Sequence, residues 1–466
     1  MIQSARWIDS SECEPPPLRA AMRLSSLKFF LRYPIFLLAF GPPEFKSPSA
    51  LAGVDTSQAH FDLWNVLQVA WLSVIALRAI IRLGTARSIL IPKQIQSILK
   101  LPLFLGILFL LSVVYSPGRV ISTEYVFLYF LNLICMVEFI VDAYRDPPNW
   151  MQCIFQLRLV ALLLLVAVLL ALVFAPSLVM AVVPGSRIRI LGGSVASMGL
   201  YPEMIAIISA YTFLHSLESR GRSALLFLVG LAGTLVTQAR GAELSLFLVL
   251  AVLAIGWARM GKRSAYIFVS AIMAFSLLAG AVVGTIGGDR IWNTFNRGQD
   301  TEGILTASGR TGVWWGVIEY CIVHPQGMGY IAGVRTFHRR DYSTNLHASL
   351  TNIGGTDNSF FQVLADAGWL ALALYLTTIA KTVALGWRSM KKCTSVTLAS
   401  GSVIRHSLRC ALLLLLYCCA EGMEGPVFAV PLFGSFYCQN ILIVMILGAS
   451  ASVIIASRPR YSSLAN

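Results

Sequence analysis

The chain has 466 residues, of which 57% are hydrophobic and only 12% charged. A soluble protein of this size carries about twice that charge, and one hydrophobic core cannot use so much apolar sequence, whereas a bilayer can. The formal net charge of +14 reads as topology-setting charge near helix ends plus a cationic set on one face, and not as a nucleic-acid surface.

Taken in chain order, residues 1–26 are polar, contain Pro15, Pro16 and Pro17, and lack the apolar stretch of a cleavable signal. They are expected to form a cytoplasmic tail. Residues 27–286 hold nine apolar segments. The first, 27–40, is short and interrupted by Pro34; the others run over 63–83, 101–116, 123–142, 154–176, 194–214, 224–239, 241–258 and 265–286. A connection of roughly 70 residues follows over 287–356, far longer than usual. Residues 357–466 hold three more segments, 358–386, 407–424 and 433–453, and a cytoplasmic C-terminus. The expected architecture is all-α and polytopic, with about 12 transmembrane helices in one membrane domain and a long periplasmic loop between helices 9 and 10. The nine cysteines are scattered and show no metal-ligand spacing.

Most Lys and Arg fall in alternate linkers, as the positive-inside rule expects. A minority falls on the other side: Lys46, Arg119, Arg187, Arg189, Arg240, Arg290, Arg297, Arg310, Arg335, Arg339 and Arg340. Cations against the topology rule point to an anionic, phosphate-bearing substrate held at the outer face. The long loop adds Trp292, Trp314, Trp315, Tyr320, Tyr330 and Tyr342. Such aromatics suit sugar rings, and they also serve as plain interfacial anchors. Residues 311–323 have the pattern of an amphipathic helix lying on the membrane or over a cavity.

Four short stretches carry the chemistry. In Gln238-Ala239-Arg240-Gly241, Glu243 lies three residues past an Arg that is costly at this depth unless paired or wetted. The pair would also suffice to fix a tight helical hairpin. In Ser308-Gly309-Arg310-Thr311, followed by Trp314, the glycine permits close backbone approach and the arginine offers a planar fork for phosphate oxygens. Ser308 also suits a helix N-cap, and helix N-termini bind anions themselves. His324-Pro325-Gln326-Gly327-Met328-Gly329 reads first as a turn ending the 311–323 helix. Asp357-Asn358-Ser359 enters the tenth segment, which continues to Ala367-Gly368. Asp357 fits either an N-cap or a base that takes a proton from a sugar hydroxyl.

In their order and spacing these elements resemble the signature of the O-antigen ligase and Wzy-type polymerase superfamily. The resemblance rests on Ala239-Arg240-Gly241, Ser308-Gly309-Arg310 with Trp314, His324-Pro325 with Gly327 and Gly329, Asp357-Asn358-Ser359-Phe360 with Gln362, and Ala367-Gly368. It implies a GT-C-like, metal-independent membrane glycosyltransferase without a cofactor. The donor is an undecaprenyl-diphosphate-linked glycan and the acceptor a sugar hydroxyl.

By that resemblance Arg240 and Arg310 hold the diphosphate, and Asp357 orients or deprotonates the acceptor. Arg187, Arg189, Arg290, Trp314, His324, His347 and Asn358 are candidate substrate contacts. Ligases of the superfamily usually carry His where this chain has Asp357. This departure favours polymerisation of repeat units into exopolysaccharide, capsule or O-antigen over transfer to a lipid A-core acceptor, and nearby His347 is a candidate replacement base. The same reading expects an inner-membrane protein with cytoplasmic termini and a periplasmic site, acting with the lipid bilayer, a chain-length regulator and a flippase. A lipid-linked oligosaccharide transporter is the more distant alternative. It would place its ionisable groups near the midplane, whereas these crowd one face.

Overall fold

In a computed structural model, the described residues are 70, 73–82, 91–145, 149–174, 195–237, 240–258, 310–331, 333, 358–393, 399–422 and 435–457. Among them the secondary structure is helical, with no strand. Ten helices follow in order: α1 (Lys93–Ser112), α2 (Arg119–Arg145), α3 (Trp150–Phe174), α4 (Val195–His215), α5 (Arg220–Thr237), α6 (Arg240–Ala258), α7 (Arg310–Val323), α8 (Ser359–Lys392), α9 (Ala399–Glu421) and α10 (Ser435–Ala456). A further helical stretch covers 73–82. Each falls on an expected apolar or amphipathic segment. The expected segments at 27–40 and 265–286, and most of the long loop, lie outside the described residues.

Among the described residues, five stretches are long and apolar enough to cross a membrane: Lys93–Ser112, Ser122–Ala143, Trp150–Ala167, Ser359–Lys392 and Gly401–Glu421. Helix α1 sends Phe104, Ile107, Leu110 and Leu111 outward, and α3 sends out Leu163, Leu170 and Phe174. Water would oppose such a surface and lipid accepts it. The chain is a multi-pass membrane protein.

The bundle has two distinguishable ends. At one, here the motif end, the end of α1 meets the start of α2 and the segment after α7. There the Tyr330 N–H donates to Ser112 Oγ at 3.0 Å, and Ser122 Oγ donates to the Tyr330 carbonyl at 2.6 Å. The Ser359 N–H at the start of α8 donates to the Gly422 carbonyl just past α9, at 2.8 Å. At the opposite end, Tyr211 on α4 meets His406 on α9 at 2.9 Å, Ser407 on α9 lies against Met151 on α3, and Trp150 lies against Gly448 of α10.

The opposite end is held by ion pairs. Arg78 and Arg82 of the 73–82 stretch bind Glu138 and Asp142 on α2, with Arg78 Nε 2.7 Å from Glu138 Oε1. Arg158 on α3 donates from Nη2 to both oxygens of Glu218 at 2.7 Å, with both side chains buried.

Helices α4 and α5 are in unusually close contact. A Cβ on Gly230 would lie 2.6 Å from the Pro202 carbonyl and from the Ala206 nitrogen, and one on Gly233 would lie 2.7 Å from the Pro202 ring. Small residues at this seam let the two backbones approach, as packing within a membrane favours. Pro202 also removes one helical hydrogen bond from α4. The next residue is Glu203.

Candidate active site

Among the helices that begin at the motif end, α6 starts at Arg240, α7 at Arg310 and α8 at Ser359. For α8 the start is fixed by Asn358, an extended residue whose side-chain oxygen accepts from Phe360 N at 2.9 Å and Phe361 N at 3.1 Å. This satisfies two of the donors that a helix start leaves open. The cap that the sequence offered to Asp357 is therefore taken by Asn358, which is buried.

Helix α7 lies against the first turns of α8. Trp314 stacks on Phe361 with centroids 5.5 Å apart and planes 18° apart. Below them, Val317, Cys321, Met328, Leu364 and Ala365 form a small core of their own. Helix α7 thus carries its Arg310 end to where α8 begins.

The His324–Gly329 turn is a mechanical joint between α7 and α8. Helix α8 breaks at Ala367 and Gly368, and Gly368 takes φ 79°, ψ −171°, a conformation open to glycine and very few other residues. Into this break fits the carbonyl of Pro325, which accepts the Trp369 N–H at 3.2 Å. A Cβ on Gly368 would lie 1.8 Å from that carbonyl oxygen. Gly327 (φ 86°) faces the same break, and the Met328 N–H donates to the Ala365 carbonyl at 2.6 Å. Trp369 Nε1 closes the joint by donating to the Cys321 carbonyl at 3.0 Å. His324 is exposed and packs its ring on Tyr320, centroids 4.5 Å apart. The motif resolves into a glycine-dependent turn that welds the two helices.

The α1–α2 connection braces this joint. Tyr115 donates its hydroxyl to the Gln326 carbonyl at 2.6 Å. Burial, with the nearby Asp366 charge adding to it, lifts the Tyr115 phenol to about 12, so the donor keeps its proton throughout the neutral range. Asp366 itself accepts from the Ile331 N–H and from Gln362 Nε2, each at 2.9 Å. It lines a cavity of about 50 Å³ between α1, α2, α8 and α10, together with Phe109, Tyr129, Tyr330, Tyr375 and Asn440. Tyr330 stacks on Phe109 at 4.1 Å.

A second polar group lies between α4, α6 and α9. Glu203, Tyr417 and Glu421 are each buried to 1% exposure or less. Tyr417 donates its hydroxyl to Glu203 Oε2. Glu421 lies one turn beyond Tyr417 on α9. Among the described residues no group of three or more His, Cys, Asp or Glu is arranged to hold a metal ion.

Of the residues expected from sequence, Trp314 and Asn358 come together at the α7–α8 contact, and His324 lies at the far end of α7 in the joint. Arg240 and Arg310 stand at helix starts, where their backbone positions are described. Arg187, Arg189, Arg290, His347 and Asp357 lie outside the described residues. A scan of cations misses Glu203, Asp366 and Glu421. Their signal was a carboxylate inside an apolar segment, where ionisable groups are costly and tend to be functional.

Residues 225–376 match the family model described as O-antigen ligase. Over this segment the chain is similar to O-antigen ligases. The match runs from α5 into α8 and contains all four motif stretches, so the helix starts, the α7–α8 joint and the capped entry to α8 are the family's own part of the molecule. Helices α1 to α3, Glu203, Tyr417 and Glu421 fall outside it. No curated protein matches the chain.

Proposed function

We propose that the protein polymerises polyprenyl-diphosphate-linked oligosaccharide repeat units into surface polysaccharide at the periplasmic face of the bacterial inner membrane. The observation that carries this reading is the gathering of three helix starts, two of them beginning with Arg240 and Arg310, at one end of a membrane bundle within the family-matched segment.

Helix starts present open N–H groups and the positive end of the helix dipole, so they favour anions. When an acceptor hydroxyl attacks the anomeric carbon, the bond to the diphosphate breaks and negative charge builds on the leaving group. Fixed cations and N–H groups at a low-dielectric boundary stabilise that charge without reorganising. In this reading Arg240 and Arg310 supply the cations, assisted by Arg187, Arg189 or Arg290. Asp357, next to the α8 cap, orients or deprotonates the acceptor. Trp314, half-buried in its stack with Phe361, contributes aromatic surface that suits a sugar ring. The lipid tail stays in the bilayer, which explains chemistry at the membrane edge. Net charge supports the orientation: Lys93, Arg220, Arg222, Lys391 and Lys392 sit at the helix ends opposite the motifs, the side expected to face the cytoplasm.

Lipid-linked glycan profiling in a deletion strain tests the reading. The strain is complemented with wild type, Arg310→Ala or Asp357→Asn. Single repeat units accumulating on the carrier, rescued by wild type alone, are the expected result. Arg310→Ala should lower polymerisation about a hundredfold or more at equal protein level. Full-length chains stranded on the carrier would make the protein a ligase, and units trapped on the cytoplasmic side would make it a transporter.

A further inference from the structure

We propose that the outer side of α7, carried by Trp315 and Ile322 with Val323 at the helix end, docks into the membrane leaflet at the motif end. Its partner is a phospholipid surface. The proposal stands apart from the transfer reading above and does not need it.

Helix α7 has three sides. Val313, Val317 and Cys321 recur at four-residue spacing and are buried. Val317 and Cys321 share one small core with Leu364 and Ala365 of α8. Trp315 and Ile322 are seven residues apart, two turns along the same side of the helix. They are 62% and 68% exposed, and Val323 closes the helix at 72%. Gly312 and Glu319, also two turns apart and exposed, form a third side that suits water. At 14 residues, or about 21 Å, α7 is too short to cross the ~30 Å core of a bilayer. Water opposes three large apolar side chains at its surface, so the exposed apolar side calls for an apolar partner.

Helix α8 carries a ruler for the height of α7. Trp369 and Trp387 are both half-exposed and lie 18 residues apart, which is about 27 Å of helix. Leu370, Leu376 and Val383 are exposed between them. Lys391 sits over the Trp387 ring at 5.7 Å, at the end opposite the motifs. Tryptophans favour the two membrane–water boundaries, and this spacing matches the ~30 Å of hydrocarbon between them. Trp369 therefore marks the boundary at the motif end.

The last turn of α7 is tied to that mark, because Trp369 Nε1 donates to the Cys321 carbonyl at 3.0 Å. Ile322 and Val323 follow directly. On the other flank, Tyr115 ends the exposed row of Leu111 and Val114 on α1 and donates to the Gln326 carbonyl at 2.6 Å. The turn after α7 thus lies between two lipid-facing rows, and the apolar side of α7 continues them. Trp315 stands two turns back, about 10 Å along the helix. Its neighbour Trp314 meets Phe361 in the first turn of α8. This places Trp315 toward the headgroup layer, where its amphipathic ring is favoured. The sequence of the long loop offers a poorer partner, since Arg335, Arg339, Arg340 and Asp341 crowd the stretch after the turn. Seated in lipid and welded to α8, the helix holds its Arg310 end at a set height above the hydrocarbon.

The test uses the full chain in nanodiscs of phosphatidylethanolamine and phosphatidylglycerol. A genetically encoded nitroxide residue replaces Ile322, Trp315, Glu319 or Leu111, one at a time. Collision with oxygen, which concentrates among acyl chains, is compared with collision with a nickel chelate, which stays in water. The oxygen-to-nickel ratio at position 322 should lie about tenfold above that at 319 and close to that at 111, with 315 between. Should the label at 322 prevent folding, position 323 carries it and the same ratio is expected.

A ratio at 322 equal to that at 319 would make this side wet and overturn the proposal. Low collision with both reagents at 322 and 315 would also overturn it, because protein then covers the helix. Discs holding a single chain would show whether that cover is the long loop or a second copy. The measurement needs no turnover, so an inactive wild type would remove the transfer reading and leave the docking intact, and the reverse holds equally.

Discussion

The two ends of the bundle handle buried acids differently. At the end opposite the motifs, Glu138, Asp142 and Glu218 are each paired with arginines on neighbouring elements. At the motif end, Glu203 accepts from a tyrosine hydroxyl, and Asp366 accepts from a backbone N–H and a glutamine amide. An acid locked to an arginine keeps its charge and fixes two helices together. An acid that accepts from a neutral group can exchange protons. The first arrangement suits a scaffold and the second suits chemistry, so acid-to-neutral substitutions should have opposite signatures at the two ends.

The largest stability loss should come from Glu218→Ala. Arg158 is buried to 4% side-chain exposure and Glu218 to 9%. Removing the carboxylate leaves a buried guanidinium uncompensated, at a cost of about 3–5 kcal/mol. Chemical denaturation in detergent would measure it, and the fraction that remains folded should transfer glycan at the wild-type rate. Restored stability in an Arg158→Met/Glu218→Leu double variant would identify the pair as scaffold.

Gly368→Ala comes next and probes the joint at the motif end. The added methyl meets the Pro325 carbonyl at 1.8 Å, at a backbone angle that alanine rarely adopts. About 3 kcal/mol of destabilisation is expected. Unlike Glu218→Ala, it should also lower the rate of the folded fraction, because α7 can then no longer hold Arg310 at the start of α8. A loss of stability with no loss of rate per folded molecule would mean that α7 is placed by the Trp314–Phe361 stack alone.

How much of this was legible in the sequence follows from the kind of signal each feature leaves. The helices were legible, because burial in lipid demands runs of about 20 apolar residues and Lys and Arg mark their ends. The motif order was legible because glycines and prolines punctuate it. The role of His324–Gly329 as a joint was half legible: a turn could be read, but its partner at Ala367–Gly368 is set by a Cβ-free approach of two backbones, which leaves only a glycine behind. The Glu203–Tyr417 contact was hidden, since the two residues are far apart in sequence and meet only when α4 and α9 pack. Residue type alone does not tell Asp357 from Asn358 as the cap of α8, because both types fit that position equally well.

That last ambiguity yields the smallest prediction and a sharp one. Asn358→Ala removes the acceptor for the N–H groups of Phe360 and Phe361 and should cost about 1 kcal/mol, read as a modest drop in thermal midpoint. Asn358→Asp keeps the cap and adds negative charge at a helix start, so stability should return to the wild-type level or slightly above it. The sequence reading also makes Asn358 a substrate contact, and the two roles separate in the Asp variant. If Asn358 serves only as cap, Asn358→Asp restores polymer yield together with stability. If it also meets the diphosphate-linked donor, the new carboxylate repels that anion, and yield stays low in a protein that is fully folded. The same pair of variants therefore tells whether the start of α8 belongs to the scaffold or to the chemistry.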